Sequence, residues 1–442
     1  MSIQTEQAAS QSAELFARAQ RVLPGGVSRN TVLRKPYPAY AARGEGCRIT
    51  DLDGTTRIDF SNNMASLIHG HAYPPIVRAV TEQLERGTAY MMATESEVAF
   101  AEHLCSRSPG FEKIRFVNSG TEAIMVGIKA ARAFTGRPRI AKIEGAYHGG
   151  YDYAEVSQTP KPENWGSAER PNTVPLVHGT PDSSLDNVVI LPFNDVERAL
   201  ALLDEHREEI AGVVLDPMPH RVGLNPVEPG FMRAIRDWTT ANGSLLVLDE
   251  VITFRSEYGG LQSHYGIQAD LTAMGKMIGG GFPVGAVAGR ADVMDVMDPN
   301  GGRYLFPHSG TFSANPISMV AGHVAMLDFD ETAVARINAL SERARTGITE
   351  AARATGARAC VTGAGSILRV HMKETPPRNF REAYLSPEEG ARLSALLDHL
   401  FEAGFIMINT CTAMMSTPMT EVEIDALVAA FGDGFEKIAR MP

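Results

Sequence analysis

The sequence has 442 residues, 44% of them hydrophobic and 21% charged, with a formal net charge of −11. That length is enough to bury a large core and predicts two or three domains, while the acidic balance excludes the basic face of a nucleic-acid binder. No stretch is apolar over the roughly 18 residues a membrane span needs, no signal peptide is visible, and Cys47, Cys105, Cys360 and Cys411 lack CxxC or metal-finger spacing, so a cytoplasmic protein with free thiols and no metal is expected.

Along the chain, the first helix is predicted from about Ala8 to Val22, stopped by Pro24-Gly25-Gly26. "CRITDLDGTTRIDF" predicts two short strands around the turn signal Asp53-Gly54. From about residue 74, helical stretches such as "PPIVRAVTEQLERG" and "EAIMVGIKAARAF" alternate with the apolar runs "KIRFVN", "RIAKIE", "VVILPF", "AGVVLD" and "SLLVLDE". That alternation is the signature of βαβ units on a mainly parallel sheet covered on both faces. Residues 159–187, rich in Pro, Ser, Asn and Asp, read as a long loop. Beyond about residue 325, helical "EEGARLSALLDHLFEAG" mixes with strand candidates "SILRVHM" and "FIMINTC", the pattern of a smaller α+β domain. The expected organisation is an N-terminal segment 1–73 contributing to that small domain, a large domain 74–325 and a C-terminal domain 326–442.

In a parallel α/β sheet, ligands sit beyond the carboxyl ends of the strands, so the residues directly after each apolar run matter most. After "KIRFV" come Asn118-Ser119-Gly120-Thr121-Glu122 and then a helix, a turn whose N–H groups, hydroxyls and positive helix end suit a phosphate; taken alone, these residues read better as a plain N-cap at Ser119 or Thr121. After "RIAKIE", Tyr147 offers a flat face for a planar ring, with His148 beside it. After "SLLVL", Asp249 is a carboxylate at a buried strand end and asks for a cation. Lys276, one of only eight lysines, lies in the glycine-rich, otherwise apolar "ADLTAMGKMIGGGFPVGAV". An ammonium there must be paired or driven toward neutrality.

A Walker phosphate loop fails on detail, because Met277 comes after the lysine and the glycines lie mostly beyond it. No dinucleotide fingerprint marks the first strand–helix turn. A phosphate cup, an aromatic face, a buried carboxylate and an isolated lysine are the set a pyridoxal phosphate site needs. The lysine forms the Schiff base, and the carboxylate keeps the pyridine nitrogen protonated.

These motifs, with "RVLPGGVSR", "GHAYPPIV", "GAYHGGYD", "MGKMIGGGFPVGAVAGR" and "HSGTFSANPIS", resemble the class III pyridoxal-phosphate aminotransferases of the aspartate-aminotransferase fold (fold type I). The branch is similar to glutamate-1-semialdehyde aminomutase and the β-amino-acid aminotransferases. The resemblance implies a large domain with a mainly parallel, seven-stranded-type sheet and a small α+β domain. It implies Lys276 as the Schiff-base lysine and Asp249 as the pyridine-nitrogen partner. Ser119, Gly120 and Thr121 would hold the phosphate, Tyr147 and Val251 would pack on the two ring faces, and Glu122 would support the Asp249 side. Thr311 would reach the phosphate of the neighbouring subunit in a homodimer. Three departures stand out: Asp216 replaces a glutamate in "LDPMPHRVGL", "DEVITFR" is one glycine short, and Thr410 occupies the region of an expected carboxylate-binding arginine.

The implied activity is ping-pong transfer of an amino group from a β-amino acid or related amine to an oxo-acid such as 2-oxoglutarate or pyruvate. An intramolecular aminomutase, a racemase with the same cofactor, and a catalytically silent cofactor-binding protein are the alternatives. The aminomutase's late loop is not recognisable in the sequence, and the intact Lys276 and Asp249 count against the silent reading. Arg29, Arg221 and Arg255 are the candidates for the substrate carboxylate, with Arg29 first because the resemblance to the β-amino-acid group puts its segment at the substrate pocket, and Met64, Ile68, Met91 and Met92 are the candidates for an apolar pocket.

Overall fold

A computed structural model describes residues 10–302 and 304–439. The first helix spans Gln11–Ala19, capped by the Ser10 hydroxyl on the Ala13 N–H, and is shorter than the predicted 8–22; its predicted start falls outside the described residues. Its end comes early because Arg21, Val22 and Leu23 turn back onto the Arg18 and Ala19 carbonyls, so the chain tightens before Pro24.

The strands are β1 (Ala41–Glu45), β2 (Arg48–Asp51), β3 (Thr56–Asp59), β4 (Lys113–Val117), β5 (Arg139–Ile143), β6 (Val188–Leu191), β7 (Ile210–Leu215), β8 (Leu245–Asp249), β9 (Leu271–Gly275), β10 (Gly285–Gly289), β11 (Cys360–Thr362), β12 (Ile367–His371), β13 (Phe405–Ile406) and β14 (Thr412–Met414). The central sheet has seven strands in the order β4-β10-β9-β8-β7-β5-β6. It is parallel except at β10, which runs antiparallel to both β4 and β9. β9 and β10 flank the Lys276 turn, where glycine and alanine mask the usual β-branched signal. Two smaller sheets, β1-β2-β3-β13 and β11-β12-β14, complete the fold. β13 lies parallel to β3, so residues from the two ends of the chain share one sheet.

The helix Gly120–Thr135 runs across the central sheet because its sequence caps both ends. Ser119 accepts the Glu122 N–H, and Gly136 takes the left-handed conformation at φ 71° that closes helices. Its buried stripe of Ala123, Ile124, Val126, Gly127, Ile128, Ala130 and Ala131 packs with Val247, Ala273 and Val287 of the sheet. The opposite face of the sheet is covered by the helices Val196–Glu205 and Pro229–Asn242 through Leu202, Leu203, Phe231 and Ile235. Burial of this kind contributes roughly 1.5–3 kcal/mol per large side chain, and it fixes the strand ends that carry the polar residues. Residues 159–187 form a mostly irregular excursion, with one bridge at Gly166–Pro171 and a short helix Asp182–Asp186.

Among the described residues no helix is long and apolar enough to cross a membrane, and no cluster of His, Cys, Asp and Glu could hold a metal ion. All four cysteines are free.

Candidate active site

The polar residues converge because the strands are in register. Leu215 of β7 stands opposite Leu248 of β8, so the next residues, Asp216 and Asp249, emerge side by side at the strand ends. Leu245 and Val247 of β8 lie in the core beneath the helix Gly120–Thr135, while Leu246 and Leu248 lie in the opposite one. Strand alternation therefore points Asp249 toward the helix side, and Asp216 follows Val214 to the same side.

Asp249 is 5% exposed. Its Oδ1 accepts the Val251 N–H at 3.1 Å and its Oδ2 accepts Nδ1 of His148 at 2.7 Å. Against a carboxylate the imidazole must donate, which leaves Nε2 of His148 buried and without a partner within the described residues. Burial lowers the His148 pKa, with Asp249 acting against that shift. Asp216 takes the Met218 N–H at 2.8 Å. Burial first and the neighbouring Asp249 charge second push its carboxyl well above the usual range.

Lys276 follows β9 with a left-handed φ of 52°, a backbone conformation that costs a non-glycine residue about 1–3 kcal/mol and is typical of functional sites. Burial lowers its pKa, opposed by Asp249 and Asp216. Beside it, Asn62, Asn63, Met64 and Ala65 are four consecutive non-glycine residues with φ between 46° and 73°. That left-handed turn packs against Lys276–Gly279, with Asn62 Nδ2 donating to the Met414 carbonyl at 2.6 Å.

At the start of the helix Gly120–Thr135, the Ser119 hydroxyl takes the Glu122 N–H at 3.1 Å and the Ser119 carbonyl takes that of Ala123 at 3.0 Å. Among the described residues the Gly120 and Thr121 N–H groups remain as the open donors of the turn. A Cβ on Gly120 would stand 2.7 Å from Val251 Cγ1, and one on Gly149 would stand 2.4 Å from Thr121 Oγ1. Only glycine allows those approaches, and they shape a cradle in which the turn, Val251 and the Tyr147–Gly149 loop face one another. An anion-binding turn, a buried carboxylate beside a histidine with a spare nitrogen, and a lysine of lowered pKa together fit pyridoxal phosphate.

The remaining sequence candidates separate. Tyr147 is 39% exposed and meets His220 edge-on at 5.9 Å, with the Arg221 guanidinium 5.5 Å from its ring centre. Arg221 makes no ion pair or hydrogen bond among the described residues. Arg29 is exposed and donates to Asn63 Oδ1 at 2.6 Å, which ties it to the left-handed turn. Thr311 is exposed.

Three expectations are corrected. Glu122 does not support Asp249: its Oε2 accepts the Asn118 N–H at 2.8 Å and Asn118 Nδ2 at 3.2 Å, bracing the phosphate turn. Arg255 is fully buried, with Nε on Ser366 Oγ at 2.8 Å and Nη2 on the Met415 carbonyl, so it joins the Thr253–Ser256 turn to the C-terminal sheet instead of standing open to solvent, with Nη1 left unpartnered among the described residues. Met91 and Met92 are 104% and 84% exposed and so stand out from the surface of this chain, and Ile68 is core. Met64 does pack with Met218, Leu224, Leu261 and Ile408.

The site also uses residues that carry little local signal in the sequence. Arg369 of β12 donates to the His220 carbonyl at 2.6 Å, and Thr362 of β11 to that of Gly223 at 2.7 Å, so the C-terminal sheet grips the turn bearing Arg221. Lys142 lies buried one step below Asp216 on the neighbouring strand, opposite Val214. A charged residue inside the apolar run "RIAKIE" is the one visible signal for it.

Comparison with known proteins gives a consistent result. Residues 31–438 match the family model "Aminotransferase class-III". Glutamate-1-semialdehyde 2,1-aminomutase of Desulforudis audaxviator is 40% identical over 431 residues, 96% of this chain and 97% of that protein. The crystal structure of an omega-transaminase from Sphaerobacter thermophilus superposes with a TM-score of 0.95 at 48% identity, covering 98% of this chain and 99% of the other. A beta-phenylalanine aminotransferase from Variovorax paradoxus gives a TM-score of 0.87 at 33% identity, covering 97% of this chain and 94% of the other.

Proposed function

This chain belongs to the class III aminotransferases, which use pyridoxal phosphate, and we propose that it moves an amino group from a β-amino acid or related amine to an oxo-acid acceptor. The observation that carries the substrate reading is Arg221. Its guanidinium is unpaired among the described residues and stands 5.5 Å from the Tyr147 ring, in a turn flanked by the apolar Met218 and Leu224. One such cation beside an apolar wall suits a substrate with one carboxylate and an apolar substituent. The omega-transaminase and beta-phenylalanine aminotransferase neighbours support the same class.

When bound, the cofactor supplies a carbonyl carbon that takes up the amino group and a ring that withdraws electrons from the substrate carbon. The chain's own residues do the rest. The Gly120 and Thr121 N–H groups and the Ser119 and Thr121 hydroxyls hold the phosphate. Asp249, oriented by His148 and the Val251 N–H, holds a proton at the pyridine nitrogen. Val251 and Tyr147 would pack on the two ring faces. Lys276 anchors the cofactor. Its Nζ, lowered in pKa by burial, would be the base that takes the proton from the amine-bearing carbon. Arg221 orients the carboxylate, with Arg29 at the rim. The active unit in this reading is a homodimer in which the exposed Thr311 reaches the neighbouring subunit's phosphate; Tyr90, Met91, Met92 and Phe312, exposed on the single chain, support it.

The aminomutase relative favours a second reading, intramolecular exchange on an amino aldehyde. One experiment separates the two. The visible absorbance of the holoenzyme is followed as single amines are added without acceptor. Bleaching by a β-amino acid or aryl amine is the expected result. A response confined to glutamate-1-semialdehyde-like amino aldehydes or diamines would overturn it in favour of the mutase.

A further inference from the structure

Lys142 is fully buried in β5, with the equally buried Ile140, Ala141 and Ile143 around it. Its Nζ donates to the Ala146 carbonyl at 3.0 Å and to the Val156 carbonyl at 2.7 Å. Those two carbonyls bracket the loop that carries Tyr147 and His148, and His148 is the residue bonded to Asp249. The same loop presses on the phosphate turn through Gly149, held at φ 89° where any side chain would strike Thr121. Among the described residues no carboxylate is bonded to Lys142, so it is not half of a buried ion pair. A buried ammonium without one is costly, and a methionine of similar length would fill the space without that cost. The two carbonyl contacts are the part a methionine could not supply.

We propose that Lys142 is a positioning residue for the cofactor site, tying both ends of the 146–156 loop so that Tyr147 meets the ring and His148 meets Asp249. This rests on the proposed roles of Tyr147 and His148 at the cofactor. The charged and titratable groups facing Lys142 are Arg221 from the 220–222 turn, Glu155 from the helix Asp152–Glu155, and His148 on the loop itself. Burial and then Arg221 lower the Lys142 pKa to about 7, with Glu155 opposing. Its charge therefore changes near neutrality, and when positive it disfavours protonation of His148.

The test compares wild type, K142M and K142Q by far-UV circular dichroism, by titration with pyridoxal phosphate, and by the absorbance of the bound cofactor from pH 6 to 9. Loss of both hydrogen bonds is expected to weaken cofactor binding about tenfold or more in K142M. K142Q keeps a donor and is expected to recover part of that loss. An absorbance inflection near pH 7 is expected in wild type and absent from both variants. A folded K142M that binds the cofactor within twofold of wild type with an unchanged pH profile would overturn the inference. So would failure of both variants to fold, since Lys142 would then be a stability residue of the sheet. Failure of wild type itself to bind the cofactor would sink the site assignment instead.

Discussion

Replacing Asp249 with asparagine keeps the shape of the side chain and removes its charge. In the structure the carboxylate takes His148 Nδ1 at 2.7 Å and the Val251 N–H at 3.1 Å. The asparagine oxygen can keep the Val251 bond, but its Nδ2 then faces a donor nitrogen, so the imidazole must change tautomer. Hydrogen bonds to charged groups contribute about 1.5–3 kcal/mol, against about 1 kcal/mol for neutral ones. The pyridine nitrogen would lose the same kind of contact. At about 1.4 kcal/mol per decade, cofactor binding should weaken roughly tenfold to a hundredfold, and the donor half-reaction should slow with it.

The apoprotein should respond in the opposite sense. Burial and the Asp249 charge raise the Asp216 pKa. A carboxyl whose folded-state pKa is raised stabilises fully below its unfolded value of about 4, and that contribution is lost as pH rises through the folded value. Removing the Asp249 charge shrinks the shift. Apo-D249N should therefore gain on apo wild type as pH rises from about 4 toward the raised Asp216 pKa. Thermal unfolding of both apoproteins at pH 5 and pH 8, with a cofactor titration of each, checks both halves. Cofactor binding within twofold of wild type, or parallel pH dependence of the two apoproteins, would refute the reasoning.

Arg221→Gln should raise KM for the oxo-acid acceptor by about tenfold to a hundredfold with a smaller effect on kcat, as expected for loss of a charged hydrogen bond made in ground and transition states alike; steady-state kinetics over several acceptor concentrations decide it, and an unchanged KM would return the carboxylate role to Arg29. Arg381 donates to both oxygens of Glu144 and to the carbonyls of Trp165, Gly166 and Ser167. Arg381→Ala leaves Glu144 buried without its cation, which should cost about 3–5 kcal/mol. It should also speed proteolysis within residues 159–187; a variant with wild-type melting temperature and cleavage rate would contradict this.

The alternating apolar runs made the parallel strands of the central sheet legible, because fully buried strands declare themselves by unbroken Val, Ile and Leu. The strands on either side of Lys276 were harder to see: "LTAMG" and "GAVAG" are interrupted by glycine and alanine, and Gly275 and Gly285 lie close against Val251 and the Ser119 carbonyl. Asp249, Tyr147 and the Ser119–Thr121 turn were readable since each lies at or within a few residues of a strand's carboxyl end, where ligand sites collect. Pairings across the chain were not. His148 with Asp249 joins residues 101 apart in sequence, and Arg369 with the His220 carbonyl joins residues 149 apart. Arg255 misled for a related reason: nothing local distinguishes an exposed arginine from one buried against Ser366 and a main-chain carbonyl.

The central claim is that Lys276 carries the cofactor, and the chain offers a control in its other deeply placed lysine, Lys142. The direct measurement is to fix the bound cofactor with borohydride, digest the protein and map the modified lysine by mass spectrometry, with K276A alongside. The expected result is a single modified peptide containing Lys276, and none in K276A. A cofactor fixed to Lys142 or to any other lysine, or equal labelling in K276A, would contradict the account.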